Sequence, residues 1–537
     1  MNAPWELVGK ATEFVAEEMG IALKRSALSP NIRERMDHSC VVLTPDGEIV
    51  AQAEHIPVHL GSFRVGVENL LRWLDRESVD LSPGDMIAVN DPYVSGTHLN
   101  DLMILAPVFV RGKRVANVAS KAHIVDVGGP SPGSLNPEAR TLYAEGLVIP
   151  PTKIVERDTV RPEFTRILAA NFKDPETALG DINAEVAANR MGISRIRQLV
   201  ERFGAKPVRT GWQESLAHTR RLVQRELARV RPGSYRAVDY LEWGRDLLPI
   251  RLRLTISHDL VTADFSGSNS QIEAPLNAVL GVTYSATAFA IRSTIRPAIA
   301  TNQGFYDCVR VRAPTGSIVN PLPPAPVSGG NVETTQRVAD VTFLALSKAL
   351  GAEIPAASSG TMMNVMLGGE RGSGGLWAYY ETIGGGSGAR SGENGVSAVH
   401  TNMTNTLNTP IEIAEREYPL YYTRYQIRPG SGGVGMWSGG DGIIRGFLVR
   451  RPSTLAVMTN RFLLGPWGRN GGHPGATGRV SILRGRRRVS MPSSFVTQLA
   501  PGDEVTLETP GGGGFGRLGG KGARARRLAF KVRRRRS

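Results

Sequence analysis

The chain has 537 residues, of which 41% are hydrophobic and 21% are charged, and its formal net charge is +15. This length predicts two or three domains. The composition is that of a globular protein, and it excludes a collagen-like chain or one that is disordered over most of its length.

The positive charge is concentrated at the C-terminus. Residues 517–537 contain ten Lys and Arg and no Asp or Glu, and subtracting these ten charges leaves +5 for the other 516 residues. Like charges at this density repel one another, so we expect a solvated, disordered basic tail. Binding of the tail to RNA or to an acidic membrane surface stays an alternative, although no aromatic interleaving supports it.

Cysteine usage and hydropathy are typical of a cytoplasmic protein. The two cysteines, Cys40 and Cys308, lie too far apart in sequence to predict a ligand pair. The longest apolar runs, such as 102–110, reach about half of the ~20 residues that a membrane-spanning helix needs. The N-terminus has no secretory pattern. We expect neither membrane association nor specific nucleic-acid binding.

The first half of the chain predicts helices that alternate with short strands. Apolar residues at helical spacing predict a helix over 5–28. Strands over 40–43 and 48–51 flank Pro45-Asp46-Gly47 and predict a hairpin. The further predicted elements are a helix over 65–74, a buried strand over 86–89 and long helices over 176–204 and 211–230.

From about residue 235 the pattern changes to the alternation that is typical of antiparallel strands. The predicted elements are strands over 235–243, 250–256 and 260–265, apolar helices over 276–295 and 332–350, and strands with glycine-rich turns from 376 to 510. We therefore predict a mixed α/β (α+β) fold. It comprises a metal-binding region rich in helices and hairpins (1–230), a β- and glycine-rich region (231–516) and the tail (517–537).

A second hairpin carries the most informative polar residues. The turn Arg111-Gly112-Lys113 separates two apolar strands. If these three residues form the loop, the numbers of facing residues sum to 224, so Asp101 faces His123 and His98 faces Asp126. His98 and Asp101 are three residues apart, so the chain must bend between Gly96 and Asp101 for both to reach one face.

Two imidazoles and a carboxylate are typical ligands of a catalytic divalent metal ion, because they leave coordination positions open. We expect His98, Asp101 and His123 to be these ligands. The alternative is that these polar side chains only form hydrogen bonds at the end of a hairpin, since His-x-x-Asp is common by chance.

Two further histidines, His55 and His59, flank Pro57. The proline argues against a helix, and on an extended chain both imidazoles face one side. A role in orienting a metal ligand or in contacting substrate is compatible with this pattern, and so is a structural role.

Motifs for nucleotide binding are absent or incomplete. Residues 430–435 match G-x-G-x-x-G, but Met436-Trp437-Ser438-Gly439-Gly440 follows and predicts no helix, which a dinucleotide site requires. The sequence contains no G-x-x-x-x-G-K-[ST] phosphate loop, so we do not expect this chain to hold ATP alone. G-x-S-x-G is absent too, and nothing in the sequence supports a serine or cysteine nucleophile.

Eight sequence blocks, in the same order along the chain, resemble the hydantoinase B/oxoprolinase family from about residue 10 to Gly514. The blocks are 34–40 (ERMDHSC), 53–61 (AEHIPVHLG), 90–98 (NDPYVSGTH), 122–129 (AHIVDVGG), 330–337 (GNVETTQR), 380–386 (YETIGGG), 400–406 (HTNMTNT) and 509–514 (TPGGGG). His38 stands where family members usually have an aromatic residue, and the basic tail beyond Gly520 is not a family feature.

The resemblance implies a metal-dependent subunit of a hetero-oligomer that hydrolyses a cyclic amide, 5-oxoproline or a hydantoin, at the expense of ATP. The spacing of His98, Asp101 and His123 matches the two His and one Asp that bind a divalent metal in acetone carboxylase, and Zn, Mn or Fe is expected here. Asp126, His55 and His59 are the expected catalytic residues beside the metal. ATP and Mg would be bound by a separate A-type subunit.

Two other functions stay open on the sequence. The first is ATP-dependent ketone carboxylation at the same site, although carboxylase subunits of the family are usually longer and have a small third subunit. The second is a non-enzymatic, RNA-associated role for the tail.

Truncation after Gly520 is expected to leave metal content and turnover unchanged. The four apolar residues of the tail (Leu518, Leu528, Phe530 and Val532) offer too little area to offset an ordering cost of about 1–2 kcal/mol per residue. Activity of the truncated and full-length chains, each with its partner, is the measurement. A large loss of activity at ordinary salt would contradict a solvated tail.

Overall fold

An antiparallel sheet of seven strands organises the first 160 residues. The structure is a computed structural model that describes residues 5–53, 55–295, 299–372 and 374–518. The sheet has the order β2-β1-β5-β4-β3-β6-β7. Its strands are β1 (His38–Leu43), β2 (Ile49–Ala53), β3 (Met86–Val89), β4 (Asp101–Val110), β5 (Lys113–His123), β6 (Thr152–Glu156) and β7 (Thr159–Val160). The central strands are buried, as their apolar sequences require.

Seven helices accompany this sheet. They are α1 (Trp5–Ser26), α2 (Pro30–Arg33), α3 (Pro57–Arg76), α4 (Pro92–Ser95), α5 (Pro162–Asn171), α6 (Pro175–Phe203) and α7 (Ala205–Leu227). Helix α1 packs against α6 and α7 and against β1 and β2. The helices predicted over 5–28, 176–204 and 211–230 are confirmed. Helix α7 begins before Pro207, because proline is tolerated in the first turn of a helix.

The second half adds three smaller sheets, and its helices pack between them and the first half. The first of these sheets contains β8 (Gly233–Trp243), β9 (Asp246–Ile256), β10 (Val261–Asp264) and β11 (Val309–Arg312). The helices are α8 (Leu280–Arg292), α9 (Gln303–Tyr306) and α10 (Thr335–Leu350), and a π-helical turn, Gly330–Thr334, precedes α10. Helix α8 packs against α3 and α10, which joins the two halves of the chain.

The last two sheets face each other across a small hydrophobic core. One contains β12 (Asn364–Glu370), β13 (Leu376–Glu381), β16 (Ser453–Met458) and β19 (Ser494–Leu499). The other contains β14 (Leu420–Arg428), β15 (Gly442–Val449), β17 (Arg479–Arg484), β18 (Arg487–Met491) and β20 (Glu504–Glu508), and α11 (Ile411–Glu417) precedes β14. Leu367 and Val457 meet Phe447 and Val505 between them.

These elements confirm the mixed α+β fold. The division into regions 1–230 and 231–516 stays a prediction, and residues 519–537 of the predicted tail lie outside the described residues. Across the described residues, no helix combines the length and the hydropathy that crossing a bilayer demands.

The C-terminal glycine segment, Gly511–Gly514, threads between three loops at backbone distance. A Cβ added to Gly512 would lie 1.9 Å from the carbonyl oxygen of Ser387, and one added to Gly513 would lie 2.1 Å from that of Trp467. The backbone N–H groups of Gly512, Gly513 and Gly514 donate to the carbonyls of Gly440, Ala357 and His473. The repeated glycine therefore reflects close backbone packing, which a side chain would prevent.

A buried square of two arginines and two aspartates joins the middle of the chain to its C-terminal part. Arg337 on α10 lies 2.9 Å from Asp340 and 3.2 Å from Asp239 on β8, and Arg461 lies 2.8 Å from both carboxylates. All four side chains are nearly inaccessible to solvent. Each charge in the square is compensated only while its partners are present.

Arg461→Met is therefore expected to destabilise the protein by about 3–5 kcal/mol, because it leaves two buried carboxylates with one arginine. Urea denaturation followed by circular dichroism measures the loss. Arg220→Met is the matched control, since Arg220 forms a half-exposed ion pair with Asp307 that contributes about 0–1 kcal/mol. Equal denaturation midpoints for the two variants would contradict the assignment.

Candidate functional site

The hairpin of β4 and β5 brings Asp101 and His123 together. The two residues are paired across the strands, as the sum of 224 predicts. The turn itself is shorter than expected: only Arg111 and Gly112 form it, both with positive φ (50° and 74°), which is the geometry of a two-residue hairpin turn. A bulge between Val108 and Phe109 supplies the extra residue and restores the predicted register.

His98 reaches the same place because the chain bends before β4. Helix α4 ends at Gly96, whose φ of 81° lets the chain turn, and the N–H of Asp101 then donates to the carbonyl of His98. The predicted bend between Gly96 and Asp101 is confirmed.

The three predicted ligands form one buried cluster. His98 Nε2 lies 3.1 Å from Asp101 Oδ1 and 3.3 Å from His123 Nδ1, and His123 Nδ1 lies 3.4 Å from the same oxygen. His98 Nε2 and His123 Nδ1 can form a hydrogen bond at this distance only if at least one of the two nitrogens is unprotonated and offers a lone pair. His98, Asp101 and His123 therefore each bring one potential metal-ligand atom to the same place.

His59 is the third imidazole of this cluster, and it lies on a helix. The prediction that Pro57 argues against a helix is wrong, because Pro57 is the first residue of α3, where a missing N–H costs nothing. His59 Nε2 lies 3.4 Å from Asp101 Oδ2, and Asn331 donates to the same oxygen at 3.3 Å. Asn331 comes from the π-helical turn.

The cluster borders a small cavity. Its volume is about 30 Å³, which is room for a single water molecule or ion. The wall of this cavity includes His59, Asp101, His123, Asn331 and Tyr380. It also includes Asp37, Met403, Thr404 and Thr406. Asp37 Oδ2 is 4.0 Å from His123 Nδ1 and is the second carboxylate within reach of a cation here.

Residues far apart in sequence hold His123 in place. Its ring stacks on Tyr380 with centroids 4.9 Å apart, and Arg35 lies over the Tyr380 ring. Arg35 also donates to the carbonyl of Tyr380. The Tyr380 hydroxyl donates to Asn364, and the amide of Asn364 donates to Glu333 on the π-helical turn. Burial raises the pKa of Glu333 to about 8.

A buried lysine joins the three segments that carry the histidines. Lys121 lies two residues before His123 on β5 and donates to Ser62 Oγ at 2.9 Å and to the carbonyl of Ser95 at 3.0 Å. Ser62 in turn donates to the carbonyl of His59. Burial lowers the pKa of Lys121 to about 7, although the nearby Asp101 opposes the shift.

Electrostatics keep Asp101 ionised in spite of its burial. Desolvation alone would raise its pKa, but the charges of His98 and His59 and hydrogen bonds from His123 and His59 hold that pKa well below the usual range. Burial lowers the pKa of His123, which favours the neutral imidazole. An ionised carboxylate and a neutral His123 imidazole are both donors that a divalent cation can use.

Two residues with predicted roles lie in other environments. The carboxylate of Asp126 accepts from Lys173 at 3.0 Å and from the N–H groups of Gly128 and Gly133. The predicted pairing of His98 with Asp126 is wrong, because the ladder ends at Asp101 and His123 and the chain turns away beyond them. His55 packs against the His38 ring, with centroids 4.7 Å apart, and also lines a larger cavity described below.

Asn331, Tyr380 and Asp37 were missed as site residues, although each falls within a block that resembles the family (34–40, 330–337 and 380–386). Nothing in their local spacing distinguishes them from their neighbours. Only the tertiary structure brings them beside Asp101 and His123.

Comparisons with known proteins agree on one family. The model of the hydantoinase B/oxoprolinase family matches residues 2–518. An uncharacterized protein of Methanocaldococcus jannaschii is 43% identical, over 95% of this chain and 90% of that protein. 5-Oxoprolinase 1 of Arabidopsis thaliana is 36% identical over 94% of this chain, which spans only 41% of that longer protein. The putative B subunit of a D-/L-hydantoinase from a Pseudomonas strain is 28% identical over 95% of this chain and 89% of its own length.

Two solved structures share the fold. The ATP-dependent caprolactamase from Pseudomonas jessenii superposes with a TM-score of 0.87 and 26% identity, over 96% of this chain and 90% of that one. The nucleotide-free structure of acetone carboxylase gives a TM-score of 0.87 at 20% identity, over 95% of this chain and 75% of that one.

Proposed function

Because the chain belongs to the hydantoinase B/oxoprolinase family, we propose that it is the metal-binding subunit of an ATP-dependent cyclic amidohydrolase that opens 5-oxoproline or a hydantoin. The observation that carries this proposal is the convergence of His98 Nε2, Asp101 Oδ1 and His123 Nδ1 within 3.4 Å of one another beside a small cavity. Such a set fits a divalent ion, Zn, Mn or Fe, with positions left open for substrate.

When bound, a divalent ion at this site would supply Lewis acidity to a carbonyl oxygen. The side chains of the protein orient the ligands and provide the base. Asn331 and His59 both contact Oδ2 of Asp101 and so fix the plane of the carboxylate, which turns Oδ1 toward His98 and His123. His59 Nδ1 is buried and has no hydrogen-bond partner among the described residues. Because that nitrogen carries no competing hydrogen bond, His59 is the proposed base.

The other two expected catalytic residues receive supporting roles in this proposal. His55 lines the larger cavity that shares Thr404 with the metal cavity, so it is placed to contact substrate on its way in. Asp126 is bonded to Lys173 and to two backbone N–H groups, and its proposed role is to shape the loop that follows β5.

ATP chemistry is assigned to a separate A-type subunit that binds ATP and Mg. An unstrained lactam carbonyl is a poor electrophile, and phosphorylation of its oxygen makes the carbonyl carbon easier for water to attack, after which the ring nitrogen leaves and the ring opens. This chain has no phosphate-loop motif and spans only 41% of 5-oxoprolinase 1. A relative of similar length is named as one subunit of an enzyme. A hetero-oligomer with this partner accounts for these facts.

Ketone carboxylation is the alternative, because the acetone carboxylase structure has the same fold. The names of the more similar proteins, 5-oxoprolinase and ATP-dependent caprolactamase, favour amide opening. An ATP-hydrolysis assay of the complex against lactams, hydantoins and ketones separates the two. Turnover of a ketone with bicarbonate and of no cyclic amide would overturn the proposal.

One divalent metal ion is expected per chain, and His123→Ala is expected to lose it. Elemental analysis of the purified protein gives the stoichiometry. His218→Ala is the matched control, because His218 packs against Trp5 and not against the metal cluster. Unchanged metal content in His123→Ala would remove His123 from the ligand set.

The isolated chain is expected neither to bind ATP tightly nor to hydrolyse it, because the sequence contains no phosphate loop. Calorimetric titration of ATP with Mg into the isolated chain is the measurement, with the reconstituted complex as the positive control. Micromolar affinity of the isolated chain for ATP would contradict the assignment of ATP binding to the partner subunit.

A further inference from the structure

A cavity of about 570 Å³, here called the His400 cavity, adjoins the metal cluster. Thr404 borders both this cavity and the smaller one beside the cluster. Apolar side chains, among them Leu60 and Phe289, form one part of its wall, and polar side chains of the segment 400–405 form another. A volume of this size is sufficient for a small cyclic amide. The polar side chains of the wall are therefore placed to select a ligand.

The ring of His400 is bonded to an amide whose orientation is fixed. Nε2 of His400 lies 3.2 Å from Oδ1 of Asn408. The amide nitrogen of Asn408 lies 2.9 Å from a carboxylate oxygen of Glu381 and 2.8 Å from the carbonyl oxygen of Thr382. Carboxylate and carbonyl oxygens can only accept hydrogen bonds, so the amide cannot be reversed. Its oxygen faces His400, and Nε2 of His400 must therefore carry the proton.

A buried ion pair holds this amide in place. Nη2 of Arg445 lies 2.9 Å from both carboxylate oxygens of Glu381. The guanidinium of Arg445 lies over the rings of Tyr422 and Tyr425, 4.4 Å from each centroid. The hydroxyl of Tyr425 donates to Oδ1 of Asn408 at 3.2 Å. The amide cannot turn without breaking its bonds to Glu381, to Tyr425 and to a backbone carbonyl.

The other ring nitrogen of His400 is left with a lone pair. Burial lowers the pKa of His400 to about 4, although the hydrogen bond with Asn408 opposes the shift, so the imidazole is neutral at pH 7. A neutral imidazole with its proton on Nε2 has an unprotonated Nδ1. Nδ1 of His400 has no hydrogen-bond partner among the described residues and, unlike Nδ1 of His59, it is not sealed from solvent. It can therefore accept a hydrogen bond from a ligand in the His400 cavity.

One strand segment links His400 to the metal cluster. The ring of Tyr380 stacks on His123, and the next two residues along the chain hold the amide of Asn408. The position of His400 relative to His123 is therefore set by three consecutive residues of the protein.

We propose that Nδ1 of His400 accepts a hydrogen bond from the ring N–H of the cyclic amide, and that His400 thereby selects secondary cyclic amides in the cavity next to the metal cluster. This inference rests on the proposed function and adds to it the substrate class and a residue that recognises it. 5-Oxoproline and hydantoin both carry a hydrogen on the nitrogen of the amide that is opened, whereas a ketone has no such donor. A ligand without that hydrogen leaves the lone pair of Nδ1 without a partner.

Substrate selectivity of the complex tests this contact. The probes are 5-oxoproline or hydantoin, whichever the complex turns over, and its analogue methylated at the nitrogen of the scissile amide, which is scored by its inhibition constant. His400→Leu is expected to raise KM for the N–H substrate about tenfold with little change in kcat, because the lost hydrogen bond serves binding. The inhibition constant of the methylated analogue is expected to stay within about twofold of wild type.

His258→Leu is the matched control, since His258 is exposed in the turn before β10, and it is expected to keep the wild-type preference. A purely structural defect in His400→Leu would weaken the binding of both probes alike. A preference for the N–H substrate equal to that of wild type in His400→Leu would therefore overturn the proposal.

The tautomer of His400 is measured without any turnover. Nitrogen-15 NMR of the full-length chain, labelled at its histidines and loaded with diamagnetic zinc, distinguishes protonated from unprotonated ring nitrogens. The signals of His400 are those that are missing from His400→Leu. We expect a protonated Nε2 and an unprotonated Nδ1 in the wild-type chain. A protonated Nδ1 would overturn the proposal even if His400→Leu failed to fold.

The two proposals fail in different ways. Turnover of a cyclic amide with the same preference in wild type and in His400→Leu removes the contact with His400 and leaves the proposed function intact. A complex that turns over no cyclic amide removes the proposed function, and the amide contact is then wrong as well, whatever the tautomer of His400.

Discussion

A carboxylate that is shielded from water governs the arrangement of the N-terminal half. Asp101 is inaccessible to solvent, and it stays ionised only because donors approach from several directions. His123 comes from the neighbouring strand, His98 from the turn before β4, His59 from the first turn of α3 and Asn331 from the π-helical turn. Each of these elements must bring one of its ends next to Asp101. This requirement links the hairpin, α3 and the segment before α10 into one unit.

Lys121 shows how a second buried charge serves the same arrangement. Its ammonium group ties Ser62 and the Ser95 carbonyl to β5, and thereby fixes the distances among the segments that carry His59, His98 and His123. A side chain without hydrogen-bond donors would leave Ser62 and that carbonyl with one donor fewer in a buried region. In its protonated form Lys121 also offsets part of the negative charge of Asp101, and this attraction opposes the lowering of the lysine pKa by burial.

Short-range sequence patterns were sufficient to predict the cluster of His98, Asp101 and His123, but not the residues that surround it. The pairing of Asp101 with His123 followed from a turn signal and strand periodicity, and the bulge after Val108 happened to preserve the count. The prediction that Pro57 argues against a helix was wrong because the effect of proline depends on its position. Proline is unfavourable inside a helix but harmless at the first residue, where Pro57 lies. Asn331 and Tyr380 lie more than 200 residues from Asp101 and His123, and no short-range period reports contacts at that separation.

The glycine segment near the end of the described chain sets the order in which the molecule can be completed. The carbonyls of Gly440, Ala357 and His473 receive their donors from Gly512, Gly513 and Gly514, which are synthesised after all three loops. A nascent chain that has not yet reached this segment leaves those carbonyls without these partners and leaves a backbone-wide slot open between the loops. The backbone hydrogen bonds that close these three loops therefore form only once residues 512–514 are in place.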